Sequence, residues 1–276
     1  MALNRDKMIA AMAQGFRVPI YKASVANQAA GYVTSLWRAA GSPAWAQGAI
    51  PSAAATPTDD TVGGIPLPDW GTMTGRLYRF APLGVTVGSY MLYDRIAHMG
   101  GLSGTVLTAQ TVSLDVETAK TAGRCESDYT NVEWYLEIYT DLGTTASNAT
   151  VSYTDANNVS GKTIVISGFT GASPLNRSGR CVFLVPTDGI PIKSIQSVTL
   201  SASSGTAGSF GVTARVAKGT VGQMLANVQA PGCDGISLGL PVVHKNACLE
   251  MLVQCSTTST GIIQGDLKIG WIDEAA

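Results

Sequence analysis

The chain has 276 residues, of which 45% are hydrophobic and only 13% are charged, and its formal net charge is -1. A chain of this length can bury a hydrophobic core, and its high apolar content excludes a protein that is disordered throughout. A protein that coats nucleic acid is expected to be strongly basic. We therefore expect no direct nucleic-acid partner.

The five cysteines are odd in number and show no CxxC spacing, so the sequence contains no metal or redox motif. We expect buried free thiols and no cofactor. The first residues lack the charged, apolar and small-residue order of a secretory signal, and no apolar run reaches about 18 residues. We expect synthesis in a cytoplasm and no association with a membrane.

Residues 1–70 are predicted to form a helical segment followed by an extended, proline-rich arm. Asn4 or Asp6 is a suitable N-cap for a short first helix. After Ser24, a second N-cap candidate, apolar residues recur at three- and four-residue spacing until Gly41. This spacing predicts an amphipathic second helix of about four turns.

The segment from Gly41 to Gly71 contains five prolines, which break both helices and central strands. Its large apolar side chains would be a liability in a flexible linker, so we predict an arm that orders on a neighbouring subunit. The alternative is a loop that wraps its own domain. The predicted interface residues are Tyr32, Leu36, Trp37, Trp45, Ile50, Ile65, Leu67 and Trp70.

Residues 71–276 are predicted to form a β body, an antiparallel β-sandwich or jelly roll of one or two β modules. Short strand-like segments separated by turn residues, without helical patterns between them, favour this class over βαβ units. The candidate strands are 105–116, 132–140, 149–154, 162–167, 180–185, 194–202, 209–216, 248–256 and 262–272.

Two of these segments have a more specific pattern. Residues 132–140 alternate strictly, which predicts a half-buried strand with Trp134 and Leu136 on one face and Tyr135 and Tyr139 on the other. The last two candidate strands flank 257–261, rich in Thr and ending in Gly, which predicts a hairpin-like connection and a C-terminus tied into the sheet.

The sequence offers few groups for catalysis, and we predict no enzyme. Asp94 and His98 could share a helical face, but no serine or cysteine elbow accompanies them, so we expect an ion pair or a partly buried histidine. His244 is predicted to be a surface residue. Glu133 and Glu137 lie on one strand face, whereas the paired acids of glycosidases face each other across a groove.

Four segments together resemble a group of tailed-phage virion proteins: LYDRIAHMGGLSGTVLTAQTV (92–112), NATVSYTDANNVSGKTIVI (148–166), IKSIQSVTLS (192–201) and LEMLVQCSTTSTGIIQGDLKIGW (249–271). The resemblance covers most of the chain after about residue 75 and contains no catalytic signature. It implies a particle component of the head, a decoration, cement or minor capsid protein with β-sandwich modules that forms a trimer or another symmetric oligomer.

Three functional hypotheses follow. The first is a structural virion subunit whose arm docks on other virion proteins, with the major capsid protein as the favoured partner and with a homotrimer as the favoured oligomer. The second is a tail- or fibre-associated protein that binds a host glycan through exposed Tyr135 and Tyr139. The third is the major capsid protein itself, whose fold normally mixes long helices with strands. The copy number in the particle distinguishes the third hypothesis from the first.

Overall fold

The computed structural model describes residues 5–23, 25, 29–41, 46–229, 233–256 and 261–274. The elements are α1 (Arg5–Gln14), β1 (Phe16–Lys22), β2 (Val33–Ser35), β3 (Thr74–Gly84), β4 (Gly88–Leu102), β5 (Gln110–Asp115), α2 (Glu117–Thr121), β6 (Val132–Thr140), β7 (Ser147–Asp155), β8 (Lys162–Thr170), β9 (Cys181–Phe183), β10 (Ile192–Leu200), β11 (Ser209–Gln223), β12 (Val242–Val243), β13 (Leu249–Cys255) and β14 (Ile263–Ile272). The protein is mainly β, as predicted. Within the described ranges, no helix is both long enough and apolar enough to cross a bilayer.

The strands form three antiparallel sheets. Sheet A has the order β1-β14-β3-β12, sheet B has the order β2-β13-β4-β11-β6-β9, and sheet C has the order β5-β10-β7-β8. Strands β4 and β11, each of 15 residues, are the longest in the described chain. They pair with each other at the centre of sheet B, so they determine how the other two sheets are placed.

Sheets A and C pack side by side on one face of sheet B. Leu92 of β4 belongs to the core shared with sheet A, whereas Val216 of β11 belongs to the core shared with sheet C. Val216 of β11 lies opposite Asp94 of β4. Asp94 and Leu92 are two residues apart on β4, so their side chains lie on the same face of sheet B, and both cores therefore lie on that face. The result is two adjacent sandwiches on a common sheet, consistent with the predicted β-sandwich body.

The structure corrects the prediction for the last two strands. β13 pairs with β2 and β4 in sheet B, whereas β14 pairs with β1 and β3 in sheet A. The connection between them therefore crosses from one sheet to another and is not a hairpin; its residues 257–260 lie outside the described residues. The expectation that the C-terminal strand is tied into a sheet is confirmed.

The predicted second helix is wrong over the residues that the structure describes. Val33–Ser35 forms strand β2, which pairs with β13, and Gly31 has a φ of 79° in the turn before it, a left-handed conformation incompatible with a continuing helix. The proposed N-cap Ser24 lies outside the described residues, as does Asn4. The short first helix is confirmed as α1, which contains the other cap candidate, Asp6, in its first turn.

The boundary at residue 70 does not separate an arm from a body. β1 is the edge strand of sheet A, where it pairs with β14 over its whole length, and β2 is the edge strand of sheet B. Between β2 and β3 the chain runs alongside β4 where the pairing with β13 ends, and there Ala55 exchanges backbone hydrogen bonds of 3.0 and 2.9 Å with His98. The N-terminal segment thus wraps its own domain, which is the alternative that the sequence left open.

Candidate functional site

Four of the eight predicted interface residues are buried inside this chain. Leu36, Ile65 and Trp70 belong to the core between sheets A and B, and Trp70 stacks on Trp271 with ring centroids 5.8 Å apart. Trp37 is 1% exposed. The prediction that these four side chains bind a neighbouring subunit is therefore corrected, because covering their own sheets already removes them from water.

The remaining predicted interface residues are less deeply placed. Ile50 packs beside Trp37, Leu67 packs against the core between sheets A and B, and the Tyr32 ring lies 5.5 Å from the guanidinium carbon of Arg180. All three are partly buried. Trp45 lies outside the described residues.

The most unusual feature of the interior is a group of four buried charges on the second face of sheet B. Arg95 of β4, Glu137 of β6, Arg215 of β11 and Glu250 of β13 have side chains that are at most 1% exposed. We call this group the charge cluster. It places one charged residue on each of four neighbouring strands, so it ties together the middle of the sheet.

Each arginine in the charge cluster bonds to both glutamates. Arg95 donates to Glu137 at 2.8 Å and to Glu250 at 3.0 and 3.2 Å. Arg215 donates to Glu137 at 2.6 Å and to Glu250 at 2.6 Å. The two positive and two negative charges cancel, and this pairing is what makes their burial tolerable.

Further side chains bond to Arg95 and cover the charge cluster. Arg95 also donates to the Tyr139 hydroxyl at 2.7 Å and to His98 Nδ1 at 3.0 Å, and the Trp37 ring lies 4.4 Å from its guanidinium carbon. The Trp37 indole N–H donates to the carbonyl of Ala49 at 2.8 Å. The wrapped N-terminal segment is therefore the lid over the cluster.

The electrostatics of the charge cluster make it a poor acid or base. Burial by itself raises the pKa of the Glu137 carboxyl, but the guanidinium groups of Arg95 and Arg215 outweigh this effect and hold that pKa at about 2. A carboxylate that stays ionised at neutral pH between two fixed cations has no proton to donate. The arrangement supports a structural role of these carboxylates and not proton transfer.

The two tyrosines that the glycan-binding hypothesis requires on the surface are buried. Tyr135 is 6% exposed and Tyr139 is 1% exposed, because the wrapped segment and β9 cover the face that the alternation had predicted to be open. Tyr135 donates to Glu133 at 2.5 Å, and Tyr93 donates to the same carboxylate at 2.9 Å. These tyrosines therefore hold the sheet together internally and do not form a binding surface.

Asp94 and His98 lie on β4, and not on a helix as expected. They do not interact as a pair: Asp94 accepts two hydrogen bonds from Arg124, at 2.5 and 3.1 Å, whereas His98 accepts from Arg95 on the other face. The expected ion pair between Asp94 and His98 does not form, whereas the expected burial of His98 is confirmed, with 7% of the residue exposed. His244, predicted to be a surface residue, is partly buried.

The buried imidazole predicts a specific loss of stability in acid. Burial, together with the positive charge of Arg95, lowers the pKa of His98 to about 3. The unfolded chain binds a proton at this histidine below about pH 6.5, whereas the folded chain does not until about pH 3, so stability falls as the pH decreases between these values. We expect the wild type to lose about 2 kcal/mol more than a His98→Gln variant between pH 8 and pH 5, as measured by urea unfolding. Parallel pH profiles for the two proteins would contradict this assignment.

The cysteines are free, as expected: Cys181, Cys248 and Cys255 are buried, and Cys125 and Cys233 are partly buried. Burial raises the pKa of the Cys181 thiol to about 12, so this thiol stays protonated and unreactive near neutral pH. In the part of the chain that the structure describes, no group of three or more His, Cys, Asp or Glu side chains is placed to hold a metal ion.

A group of exposed apolar side chains marks one end of the molecule. Three connections meet there: the β3–β4 turn, the segment after β11 and the approach to β14. The backbone N–H of Asn227 donates to the Gly84 carbonyl at 3.0 Å, and Gly261 lies against Val85. The apolar tip, as we call it, comprises Val85 (41% exposed), Met224 (81%), Leu225 (64%), Val228 (50%) and Ile262 (43%).

Sequence reasoning missed both the charge cluster and the apolar tip. Each brings together residues from segments that lie far apart in the sequence and show no common periodicity. The one available signal is Met224-Leu225, an apolar pair outside any predicted strand. Exposed apolar groups gathered in one patch typically mark contacts with another macromolecule, so the tip is the candidate functional surface.

Comparisons with known proteins give little further guidance. No family model matches the chain, and no curated protein matches it. The similar solved structures include the VP2 subviral particle of infectious bursal disease virus, with 9% identity, coverage of 96% of this chain and 82% of that chain, and a TM-score of 0.19.

Two further similar structures come from the same virus. The derived T=1 particles show 14% identity, coverage of 94% of this chain and 63% of that chain, and a TM-score of 0.19. The Gx strain shows 11% identity, coverage of 95% of this chain and 68% of that chain, and a TM-score of 0.19. All three are virus-particle structures, but a superposition this weak carries no argument about the present chain.

Proposed function

We propose that this protein is a structural component of a virus particle that acts through protein–protein contacts. The observation that carries the proposal is the apolar tip, where Met224 and Leu225 are 81% and 64% exposed. Such side chains are a liability on a protein that works alone, and they become favourable when a partner covers them. The low net charge of -1 also suits a subunit that works packed against others.

The finer proposal is a tailed-phage head protein that decorates or cements the shell. The resemblance of the sequence after about residue 75 to tailed-phage virion proteins supports it. We propose that the protein forms a homo-oligomer, with a trimer favoured, and that it binds other virion proteins, with the major capsid protein as the favoured partner. The long helices typical of the major capsid protein itself are not found among the described residues, where α1 has 10 residues and α2 has 5.

A charge placed on the apolar tip tests the role of that surface. We expect a Met224→Asp/Leu225→Asp variant to lose self-association in light scattering and to lose incorporation into particles, because two carboxylates would have to be desolvated on binding. Its urea unfolding curve should match that of the wild type, since both side chains are exposed. The matched control is Val165→Asp, 57% exposed on the edge strand β8 of sheet C, which should assemble normally.

Two outcomes would contradict the proposal. The first is a wild-type protein that remains monomeric and fails to join any particle. The second is a double variant that assembles as well as the wild type. The copy number in a cryo-EM map of the particle then separates a decorating protein, whose loss leaves the shell intact, from a shell-forming one.

A further inference from the structure

A polar cleft lies where sheets A and C meet on sheet B. Its walls are the segment after α2, the end of β12 and the middle of β11, and its volume is about 480 Å³. The lining side chains with hydrogen-bonding groups are Arg124, Cys125, Glu126, Asn131, Lys218 and His244. The cleft is thus a junction between the two sandwiches and is separate from both the charge cluster and the apolar tip.

Lys218 is the central residue of this cleft. It is the extra residue of a β-bulge in β11, between Ala217, which pairs with Tyr93, and Gly219, which pairs with Leu92. Bulges redirect a side chain that would otherwise follow the alternation of the strand. Lys218 is only 9% exposed, and within the described ranges its ammonium group makes no hydrogen bond or ion pair.

Arg124, which also lines the cleft, differs from Lys218 because its guanidinium group has hydrogen-bond partners. Arg124 donates to both carboxylate oxygens of Asp94, to the Pro57 carbonyl at 2.7 Å and to the Arg95 carbonyl at 3.0 Å. Its charge is therefore neutralised inside the protein. Two carboxylates lie near the ammonium of Lys218: Asp94, which Arg124 already neutralises, and the exposed Glu126 on the cleft wall. Burial outweighs both and lowers the pKa of Lys218.

Two neutral donors accompany Lys218. His244 Nδ1 accepts the backbone N–H of Asn246 at 3.1 Å, so the proton of the neutral imidazole lies on Nε2, which is left as a donor. Asn131 uses its side-chain oxygen to accept the backbone N–H of Glu126 at 2.9 Å, so its NH₂ group is available. One cation and two N–H donors line the same small cleft.

We propose that this cleft binds a small oxyanion, a carboxylate or a phosphate, with Lys218 as the main ligand and His244 and Asn131 as supporting donors. An anion would offset the cost of burying an unpaired ammonium, and charge-assisted hydrogen bonds are the strongest that a protein forms with such a ligand. The oxyanion has two sources: a free anion, or an Asp or Glu side chain that a second copy of this chain inserts.

The full-length protein is titrated with inorganic phosphate at constant ionic strength, with chloride as the balancing anion. We expect a saturable rise in the melting temperature and binding by calorimetry, both weakened about tenfold or more by Lys218→Met. The variant should also melt at a higher temperature than the wild type without phosphate, because the buried charge is gone. Lys268→Met, on β14 outside the cleft, controls for general salt effects and should respond as the wild type does.

A second variant keeps the proposal testable if Lys218→Met alters the fold. Glu126→Gln removes the one carboxylate on the cleft wall and should tighten phosphate binding. The oligomeric state distinguishes the two sources of the oxyanion. If phosphate dissociates an oligomer of the wild type and Lys218→Met is monomeric, the natural oxyanion is an acidic side chain of a second copy. If phosphate binds and leaves the oligomeric state unchanged, the natural oxyanion is a free anion. An equal phosphate response in the wild type, Lys218→Met and Lys268→Met, or no response in any of them, overturns the proposal.

Discussion

Replacing Glu250 with glutamine is expected to lower the free energy of unfolding by about 3–5 kcal/mol, the range for removing one partner of a buried ion pair. Glu250 accepts from Arg95 at 3.0 Å and from Arg215 at 2.6 Å, and both guanidinium groups are buried. The neutral amide leaves the charge cluster with one excess positive charge that water cannot reach. Urea unfolding of the two proteins measures the difference.

The same substitution at an exposed pair is the control. Glu274 bonds to Arg76 at 2.6 Å, but the two side chains are 38% and 18% exposed. Glu274→Gln should therefore cost less than about 1 kcal/mol. If Glu250→Gln and Glu274→Gln lower the free energy of unfolding equally, burial does not determine how much the charge cluster stabilises the protein.

A double substitution tests whether charge balance is the cause. Arg215→Met together with Glu250→Met removes one charge of each sign and leaves the pair of Arg95 and Glu137, joined at 2.8 Å. We expect the double variant to be less destabilised than the sum of the two single variants, because each single variant leaves an unpaired charge. A strictly additive result would contradict this explanation.

Deleting residues 1–70 is expected to leave a chain that does not fold. The deletion removes Val18, Ile20, Leu36, Ile65 and Trp70 from the core between sheets A and B. At roughly 2 kcal/mol for each buried side chain, the loss is about 10 kcal/mol, comparable with the whole stability of a typical domain. Circular dichroism and binding of an apolar dye would report the loss of structure.

A shorter deletion separates this effect from truncation in general. Removing residues 1–14 takes away α1, whose one buried residue among those described is Ala11. Both sheet-forming strands β1 and β2 remain. We expect this variant to fold with a modest loss of stability, whereas a folded and soluble product of the longer deletion would restore the idea of a separable arm.

The strands were the most predictable part of the fold. Residues 132–140 alternate strictly, and the structure gives β6 the same bounds. Of the two longest strands, β4 was not predicted and β11 was predicted only in its first half. Each contributes to both sandwiches, and bulges interrupt the pairing between them. A bulge shifts the alternation by one residue, so no simple period of two persists along the strand.

The exposure of each face was less predictable than the strands themselves. The polar residues of β6, Glu137 and Tyr139 among them, suggested a face open to water. They are buried because Arg95 and Arg215, from two other strands, neutralise Glu137, and Arg95 also donates to the Tyr139 hydroxyl. Residues so far apart in sequence reveal no pairing until the sheet is assembled.

By itself, the sequence determined that this protein is mainly β and that it has a short N-terminal helix, because local periodicity and composition carry these properties. The tertiary structure alone decided the fate of the N-terminal segment. Its apolar residues were correctly recognised as needing a partner surface, but a sequence does not say whether that surface belongs to a neighbour or to the same chain. The second face of sheet B carries buried charges that must be shielded from water, and Trp37 and its neighbours provide that cover.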